Sequence, residues 1–257
     1  MTTTRIHQTE KTEKMDTERQ IHSQLGALHF PGMRKCWQTL VETRQCGTMS
    51  LTDGLLLMLQ AESDHRRNSR QTRLIKEARF RYRATLAETH FEAARGFDRQ
   101  AVMALATGPY IERGEPVIIT GATGTGKSWL ATALGTQACL DGKSVRYYNL
   151  AKLLEAVDDA RIAMCLSKLF DRLGQVDLLI IDDFGVRPLE GQQLLDLMEI
   201  IDDRYGRKAT IIASQLPVAS WYDVLKKNTT AADAILDRIV HTATRFELKG
   251  DSLRKKH

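Results

Sequence analysis

Two patterns of hydrophobic and polar positions divide the chain. Between Gln20 and Ala61 the apolar residues recur at the spacing of amphipathic helices, with breaks at Pro31-Gly32 and Gly47-Thr48. From residue 116 onward, short apolar runs alternate with helical stretches; the runs are PVIIT, VRYY, LLIID, TIIAS and RFEL. Continuous apolar strands separated by helices indicate a parallel sheet that is covered on both faces. The pattern therefore predicts a small all-α N-terminal domain followed by an α/β domain.

We predict three segments from this pattern. Residues 1–18 are polar and contain few apolar anchors, which predicts a flexible tail. Residues 19–95 form the helical domain and residues 96–257 the α/β domain, with the stretch ETHFEAARGFDRQ at their junction. A chain of 257 residues is long enough for one large domain with a smaller one attached.

The composition is that of a globular protein, with 42% hydrophobic and 27% charged residues. The four cysteines lie far apart and form no Cys-x-x-Cys pair. This argues against a disulfide framework or a structural zinc site and favours a reducing compartment. The longest aliphatic runs have about five residues, whereas a helix that crosses a bilayer needs about twenty. We therefore expect a soluble, cytoplasmic protein without a membrane partner.

The net charge of +5 belongs to the N-terminal part of the chain. Residues 1–100 contain 17 Lys and Arg against 12 Asp and Glu, while the remaining residues contain 20 of each. The densest stretch, residues 65–83, is called the basic segment below. In it the single acid Glu77 accompanies eight cations, which are Arg66, Arg67, Arg70, Arg73, Lys76, Arg79, Arg81 and Arg83.

The basic segment has the spacing of a helical stripe. Four of its cations fall on one face of a helix: Arg66, Arg70, Arg73 and Lys76. Such a stripe suits a phosphate backbone, because each cation near a phosphate releases condensed counterions. All eight cations are therefore candidates for DNA contact. The alternatives are a solvated basic face or one that pairs with an acidic protein.

The sequence after the first predicted strand matches the phosphate-binding motif G-x-x-x-x-G-K-[ST] at every fixed position. Its backbone N–H groups would surround phosphate oxygens at the positive end of the following helix. Lys127 would reach the β- and γ-phosphates of ATP, and the Ser128 hydroxyl would bind Mg²⁺. The residues predicted to bind ATP are Gly121, Ala122, Thr123, Gly124, Thr125, Gly126, Lys127, Ser128 and Trp129. Residues 121–128 are called the phosphate loop below.

Polar residues end two of the later strands. Asp182 would hold Mg²⁺ through its water shell, and Asp183 would orient and polarise the attacking water. A solvated acidic strand end is the alternative. The strand TIIAS leads to Ser214 and Gln215, where a polar side chain could hydrogen-bond the γ-phosphate or the attacking water. An ordinary polar turn is the alternative at that position.

These motifs together resemble the IstB-like transposition helper ATPases, which are relatives of the helicase loader DnaC within the AAA+ class. The resemblance runs from about residue 20 to the C-terminus. It is carried by AESDHRRNSRQTRLIKEARF, GATGTGKSWLATALG, LLIIDDFG, IIASQLPVASWYDV and AILDRIVHTATRFELKGDSLRK. It implies an AAA+ sheet preceded by the helical domain. It also implies a protein that uses ATP and Mg²⁺, forms a homo-oligomer on target double-stranded DNA, hydrolyses ATP and recruits an IstA-like transposase.

The resemblance also implies roles for individual residues. The phosphate loop corresponds to Walker A, Asp182 and Asp183 to Walker B, and Gln215 to the sensor-1 position. Gln215 stands where the helicase-loader relatives commonly have Asn, so its side chain is longer than theirs. With Lys127, these residues make up the predicted catalytic machinery within one subunit.

Two late arginines complete the predicted catalytic set. Arg238, in AILDRIV, matches the arginine finger that acts in trans on a neighbouring subunit's site. A surface ion pair is the alternative for Arg238. Arg254, in GDSLRK, matches a late arginine with a sensor-2 role. Because the chain ends three residues later, we expect no C-terminal helical lid.

A second DNA contact is predicted between the second and third strands, where related initiator ATPases insert a helix that meets DNA. Three cations there would share one helical face: Arg161, Lys168 and Arg172. The alternative is a salt-bridged exterior, because Asp158, Asp159 and Asp171 lie nearby in the sequence.

Three functions share a phosphate loop of this kind. A transposition helper would grip duplex DNA with the basic segment, whereas a DnaC-like helicase loader would bind a helicase and prefer single strands. A P-loop kinase would need an acceptor site, and none is legible in the sequence. The basic segment favours the transposition helper.

Overall fold

The computed structural model describes residues 2–89, 96, 98–189, 191–225 and 227–252. The chain folds as two compact units, residues 1–72 and residues 73–257, and the division falls inside a helix. The junction predicted near residue 95 borders residues 90–95, which lie outside the described residues. The assignment of residues 19–95 and 96–257 to separate functions therefore stays a prediction. No helix in the described part of the chain is long and apolar enough to cross a membrane.

The first unit is helical, as the pattern predicts. Its helices are α1 (Thr2–Ala27), α2 (Pro31–Glu42) and α3 (Leu51–Ala78), and α3 continues past the end of the unit. Helix α1 covers most of the predicted tail, because neither glycine nor proline interrupts residues 2–25 and Gln, Glu, Lys and Arg favour helices. Whether residues 1–18 are flexible stays a prediction.

The N-terminus of α2 is capped from α3. Phe30 precedes the helix and offers no side-chain acceptor. Glu62 supplies one, because its Oε2 accepts hydrogen bonds from the backbone N–H of Gly32 at 2.7 Å and of Met33 at 3.1 Å. The helices approach so closely that a Cβ on Gly32 would lie 2.5 Å from the carbonyl oxygen of Ala61. This position therefore requires glycine.

The second unit contains the end of α3 and a sheet with helices. Its further elements are α4 (Arg99–Ala106), α5 (Pro109–Arg113), β1 (Val117–Gly121), α6 (Lys127–Leu140), β2 (Val145–Asn149), α7 (Leu150–Ile162), α8 (Leu166–Gln175), β3 (Leu178–Phe184), α9 (Gln192–Arg204), β4 (Ala209–Ser214), α10 (Trp221–Leu225), α11 (Thr229–Val240) and β5 (Thr244–Leu248). Each apolar run named above forms one strand. The predicted α/β architecture is confirmed.

The sheet has five parallel strands in the order β2-β3-β4-β1-β5. Neighbouring residues along a strand enter different cores. In β3, Ile181 belongs to a core with α7, α8, α9 and α11, and Ile180 belongs to a core with α6 and α4. The sheet is therefore covered on both faces, which is why the strands are continuous apolar runs. All carboxyl ends of the strands meet at one edge.

A buried arginine ties α9 to the sheet. Arg204 is 1% exposed. Its guanidinium group donates to the carbonyl oxygens of Leu173, Val176 and Ala209 and to the Thr210 hydroxyl. Burial lowers the pKa of Arg204 to about 9. The carbonyl groups at the end of α8 and the start of β4 thus obtain donors that neither element supplies.

The predicted single helical face between the second and third strands is wrong. Arg161 lies on α7, whereas Lys168 and Arg172 lie on α8. Between the helices Met164 has a φ of +54°, and the Cys165 N–H donates to the Ala160 carbonyl at 2.8 Å. This left-handed turn ends α7, although neither glycine nor proline marks it in the sequence.

Candidate functional site

The phosphate loop connects β1 to α6. Gly124 and Gly126 have φ angles of +85° and +103°, which residues with a Cβ rarely adopt. Helix α6 begins at Lys127, directly after the loop. The first backbone N–H groups of α6 have no partner within the helix, so they suit a phosphate group.

Lys127 is held inside the loop. Its side chain is buried, and its Nζ donates to the carbonyl oxygen of Ala122 at 2.8 Å. The Thr125 hydroxyl donates to the same carbonyl oxygen at 2.8 Å. The loop is thereby closed on itself with its ammonium group in place.

Asp182 is fixed at the end of β3. It is 1% exposed, and its Oδ2 accepts a hydrogen bond from the hydroxyl of Tyr147 on β2. Its Oδ1 accepts from the backbone N–H of Asp183 at 2.9 Å. Burial and the nearby charge of Asp182 raise the pKa of Tyr147, so this hydroxyl keeps its proton. Asp182 therefore presents a carboxylate of fixed orientation.

Asp183 has a different environment from its neighbour. The register of β3 with β4 shifts between Ile181 and Phe184, and Asp183 has a φ of +56°. Backbone strain of this kind is concentrated at functional sites. Its Oδ2 accepts a hydrogen bond from Asn149 Nδ2 at 2.6 Å and lies 3.6 Å from Arg81 Nη1. The bulge turns this partly exposed carboxylate towards the phosphate loop.

Two adjacent polar residues at the end of β4, Ser214 and Gln215, have different partners. The Ser214 hydroxyl donates to the Phe184 carbonyl at 2.7 Å and accepts from the Leu216 N–H at 3.1 Å, so it stabilises the turn. Gln215 is exposed, and its Oε1 accepts a hydrogen bond from the Thr123 hydroxyl at 2.8 Å. Gln215 therefore contacts the phosphate loop, whereas Ser214 stabilises the turn that follows β4.

These elements surround one cavity of about 520 Å³. Its lining is Arg81, Tyr82, Thr123, Gly124, Gly126, Lys127, Ser128, Trp129, Asp183 and Gln215. The structure thus brings together three motifs that are far apart in the sequence. The volume suits a ligand of nucleotide size. Arg81 and Tyr82 are additions to the predicted ATP site, since the sequence predicts a DNA contact for Arg81.

The donor set near this cavity fits Mg²⁺. Ser128 and Asp182 offer a hydroxyl and a carboxylate oxygen, the hard ligands that Mg²⁺ prefers. Among the described residues, no group of three or more His, Cys, Asp or Glu side chains could hold a metal. Mg²⁺ commonly uses one or two protein oxygens together with substrate phosphates and water, and these residues could supply that share.

Of the two late arginines, Arg238 is described, and it does not line this cavity within one chain. Arg238 Nε lies 2.5 Å from Asp202 Oδ1, and its Nη1 donates to the Ala234 carbonyl at 3.0 Å. The surface ion pair considered for Arg238 is therefore present in the single chain. Arg254 lies outside the described residues.

The cations predicted to meet DNA have different surroundings. Helix α3 contains five of them, Arg66, Arg67, Arg70, Arg73 and Lys76, and ends before Arg79, Arg81 and Arg83. Arg66 Nε lies 2.7 Å from Glu62 Oε1, and Arg67 Nη1 lies 4.0 Å from Asp64 Oδ1. The helical stripe is therefore shorter than the basic segment.

In the second unit, Arg161 donates to both carboxylate oxygens of Asp196 at 2.6 and 2.7 Å. Asp196 is 2% exposed, so this pair favours the structural interpretation of Arg161. Lys168 and Arg172 lie exposed on α8. Their contact with DNA stays a prediction.

Known proteins share both the sequence and the fold. Residues 23–257 match the family described as IstB-like ATP binding protein. An insertion sequence ATP-binding protein of Sinorhizobium fredii (strain NBRC 101917 / NGR234) is 40% identical over 231 residues, covering 90% of this chain and 94% of that protein. The ATP-binding protein of insertion sequence IS1162 from Pseudomonas fluorescens is 36% identical, covering 76% and 85%. The crystal structure of the DnaC helicase loader has a TM-score of 0.55 at 19% identity, covers 65% of this chain and 97% of that one, and shows the AAA+ fold.

Proposed function

The chain belongs to the family of IstB-like ATP-binding proteins, the IS21-type helpers of insertion sequences, and on this premise we propose an ATP-dependent transposition function. The protein assembles on target duplex DNA, hydrolyses ATP, and recruits and stimulates a partner transposase. One observation carries the ATPase part. The phosphate loop, Asp183 and Gln215 line a single cavity of about 520 Å³.

Each residue of the site has a task in hydrolysis. The phosphate loop and Lys127 bind the β- and γ-phosphates, while Ser128 and Asp182 would hold Mg²⁺, which would neutralise phosphate charge. A water oxygen bonds to the γ-phosphorus, and the bond to the β,γ-bridging oxygen breaks with its electron pair going to ADP. Asp183 accepts the proton of the water, and Gln215 hydrogen-bonds the γ-phosphate or the water.

The basic segment supports the DNA-binding part of the proposal. Its exposed cations on α3 suit a phosphate backbone, because their attraction does not depend on base sequence. Residues 19–95 would then serve DNA binding and assembly, and residues 96–257 would serve ATP hydrolysis.

Assembly supports hydrolysis through Arg238. In a homo-oligomer this arginine would exchange Asp202 for the phosphates of a neighbouring subunit's ATP, as an arginine finger in trans. A mixture of Arg238→Ala and Lys127→Ala proteins tests this directly. Each variant alone should be inactive, and the mixture should regain turnover because an intact finger meets an intact phosphate loop. No recovery in the mixture would contradict a role in trans.

The alternative is a DnaC-like helicase loader. The 19% identity to the DnaC structure supports only the fold, whereas the 40% identity to an insertion sequence protein favours the transposition helper. The two functions differ in their DNA. A helper should bind duplex DNA in the presence of ATP, and a loader should prefer single strands.

The decisive experiment measures ATP hydrolysis, assembly and transposase recruitment together. Turnover, particle size and capture of an IstA-like transposase are followed with ATP and duplex DNA. Wild type should hydrolyse ATP, form DNA-bound oligomers and capture the transposase, and Lys127→Ala should do none of these. Full assembly by Lys127→Ala would contradict the phosphate-site assignment, and preferential binding to single strands would favour the loader.

A further inference from the structure

The basic segment leaves its helix before its last cations. Helix α3 ends at Ala78, and Arg79 adopts a left-handed conformation with a φ of +57°. This residue turns the chain away from the helix axis. Arg81 consequently follows the path of the next segment and not the spacing of the helical stripe.

Two apolar residues anchor that segment on the α/β unit. Phe80 packs against the core beside α6, with its ring centroid 6.4 Å from that of Tyr147 in an edge-to-face arrangement. Gly135 of α6 makes room for this ring, since a Cβ there would lie 2.8 Å from Phe80 Cε1. Ala84 is 1% exposed. Arg81 therefore lies between two anchors, in a defined position.

At this position Arg81 faces the cavity of the phosphate loop. Its Nη1 lies 3.6 Å from Asp183 Oδ2, and its guanidinium carbon lies 5.3 Å from the ring centroid of Tyr82. Arg81 and Tyr82 both line the cavity together with Lys127 and Ser128. The arginine is thus next to the carboxylate expected to accept the proton of the attacking water.

The chemistry of the guanidinium group suits this place. It carries five N–H donors in a plane, so it can bind a phosphate oxygen while it remains beside a carboxylate. The transferred phosphoryl group carries negative charge on three oxygens, and catalysis consists largely of positioning it and stabilising that charge. Within one chain, Arg81 and Lys127 are the two cations on the cavity lining described above.

We propose that Arg81 is a catalytic residue of the ATP site that acts in cis on the γ-phosphate of a bound nucleoside triphosphate. The proposal rests on the ATPase function proposed above. Arg81 stabilises the phosphoryl oxygens as the water adds to the γ-phosphorus and the bond to ADP breaks. Because ADP lacks those oxygens, Arg81 favours the triphosphate over the diphosphate.

The test compares Arg81→Ala and Arg81→Lys with Arg113→Ala. Arg113 is a suitable control because it is a solvent-exposed arginine in an ion pair with Glu115 at 3.3 Å. Arg81→Ala should lower kcat by about 10²-fold, as loss of one preorganised donor typically does. It should weaken ATP binding more than ADP binding. Arg81→Lys should recover little, since an ammonium lacks the planar fork. Unchanged kcat and an unchanged ratio of ATP to ADP affinity in Arg81→Ala would overturn the proposal.

The variant Lys127→Ala shows whether a negative result concerns only Arg81 or the proposed ATPase function as a whole. If Lys127→Ala also turns over ATP like wild type, the ATPase assignment itself is wrong. If Lys127→Ala is inactive while Arg81→Ala resembles wild type, only the role of Arg81 is wrong.

A mixture of Arg81→Ala and Lys127→Ala proteins tests the assignment in cis. No subunit of this mixture has both groups, so turnover should not recover. Recovery would show that Arg81 serves a neighbouring subunit and would overturn the assignment. The slope of log DNA affinity against log salt should stay at its wild-type value in Arg81→Ala. A reduced slope together with unchanged ATP turnover would show that Arg81 contacts DNA and would overturn the proposal.

Discussion

The hydroxyl of Tyr147 donates a hydrogen bond to Oδ2 of Asp182 at the carboxyl edge of the sheet. Tyr147 belongs to β2 and Asp182 to β3, so the bond joins neighbouring strands where the Mg²⁺ site is proposed. The carboxylate is buried, and both of its oxygens accept hydrogen bonds that fix its orientation.

Tyr147→Phe tests what this orientation contributes. Loss of a hydrogen bond to a charged group should lower the free energy of unfolding by about 1.5–3 kcal/mol. It should also raise the Mg²⁺ concentration required for half-maximal ATP turnover, because Asp182 loses its fixed direction. Urea unfolding and a Mg²⁺ titration measure the two effects. Tyr110→Phe, at another buried tyrosine, should leave the Mg²⁺ requirement unchanged.

Asp183 can be tested separately for its carboxylate and for its backbone conformation. Asp183→Asn should bind ATP and hydrolyse it slowly, which leaves long-lived complexes on DNA. Asp183→Gly should have a free energy of unfolding about 1 kcal/mol higher than that of Asp183→Ala, because glycine accepts the φ of +56° without strain; urea unfolding measures the difference. Rapid turnover by Asp183→Asn would contradict its role as the proton acceptor. Greater stability of the alanine variant would contradict the backbone argument.

Arg204 should be essential for stability. Arg204→Ala removes the donors from three buried carbonyl groups and should lower the free energy of unfolding by about 3 kcal/mol or more. Arg204→Lys should recover little, because one ammonium cannot reach acceptors on both α8 and β4. Arg207→Ala is the matched control, since Arg207 forms an exposed pair with Asp203 and should contribute under about 1 kcal/mol. Equal midpoints for the two alanine variants in urea would refute this role.

Asp177 should make stability depend on acid pH. Burial raises its pKa, but hydrogen bonds from Lys208 and Ser144 outweigh burial and lower the pKa below its ordinary 3.8. A carboxyl whose pKa is lower in the folded state stabilises the fold above its ordinary pKa. That contribution is lost as the pH falls through the folded value. Asp177→Asn should therefore flatten the loss of unfolding free energy as the pH falls below about 4, as urea titrations at each pH would measure. An identical acid dependence in wild type and variant would contradict the assignment.

The stripe on α3 should determine how DNA affinity depends on salt. Replacing Arg70, Arg73 and Lys76 by alanine should reduce the slope of log affinity against log salt by about 2–3. The loss should be similar for duplexes of different sequence, because phosphate contacts carry no base information. The double variant Arg113→Ala/Arg207→Ala removes surface charge elsewhere and should keep the slope. An unaltered slope in the triple variant would exclude backbone contacts there.

Much of the fold follows from local patterns in the sequence. The aliphatic run before Asp182 is typical of a strand that is buried on both faces. The glycines and the lysine of residues 121–128 are close together in the chain, so the motif alone predicts the phosphate loop. Because parallel strands end at one edge, Asp183 and Gln215 could be expected near that loop. These inferences need only spacing and burial.

Other features depend on contacts that no local pattern encodes. Arg81 is predicted to contact DNA with the other cations of the basic segment, because the turn at Arg79 contains neither glycine nor proline that would reveal it in the sequence. Phe80 and Ala84 were the available signal, since apolar residues on either side of Arg81 indicate anchoring on a core. Arg204 gave no signal, because an arginine at the end of a helix is normally exposed.

The Arg66–Glu62 ion pair reduces the number of cations in the basic segment that can bind DNA phosphates without losing a partner. Glu62 caps α2 with one carboxylate oxygen and forms an ion pair with Arg66 through the other. A DNA phosphate that binds Arg66 would therefore compete with the Glu62 carboxylate. Arg67 and Arg81 also have carboxylate partners. Three of the eight cations therefore lie within 4.0 Å of a carboxylate, with which a DNA phosphate would compete. The salt dependence of DNA binding should therefore correspond to fewer phosphates than the eight cations suggest.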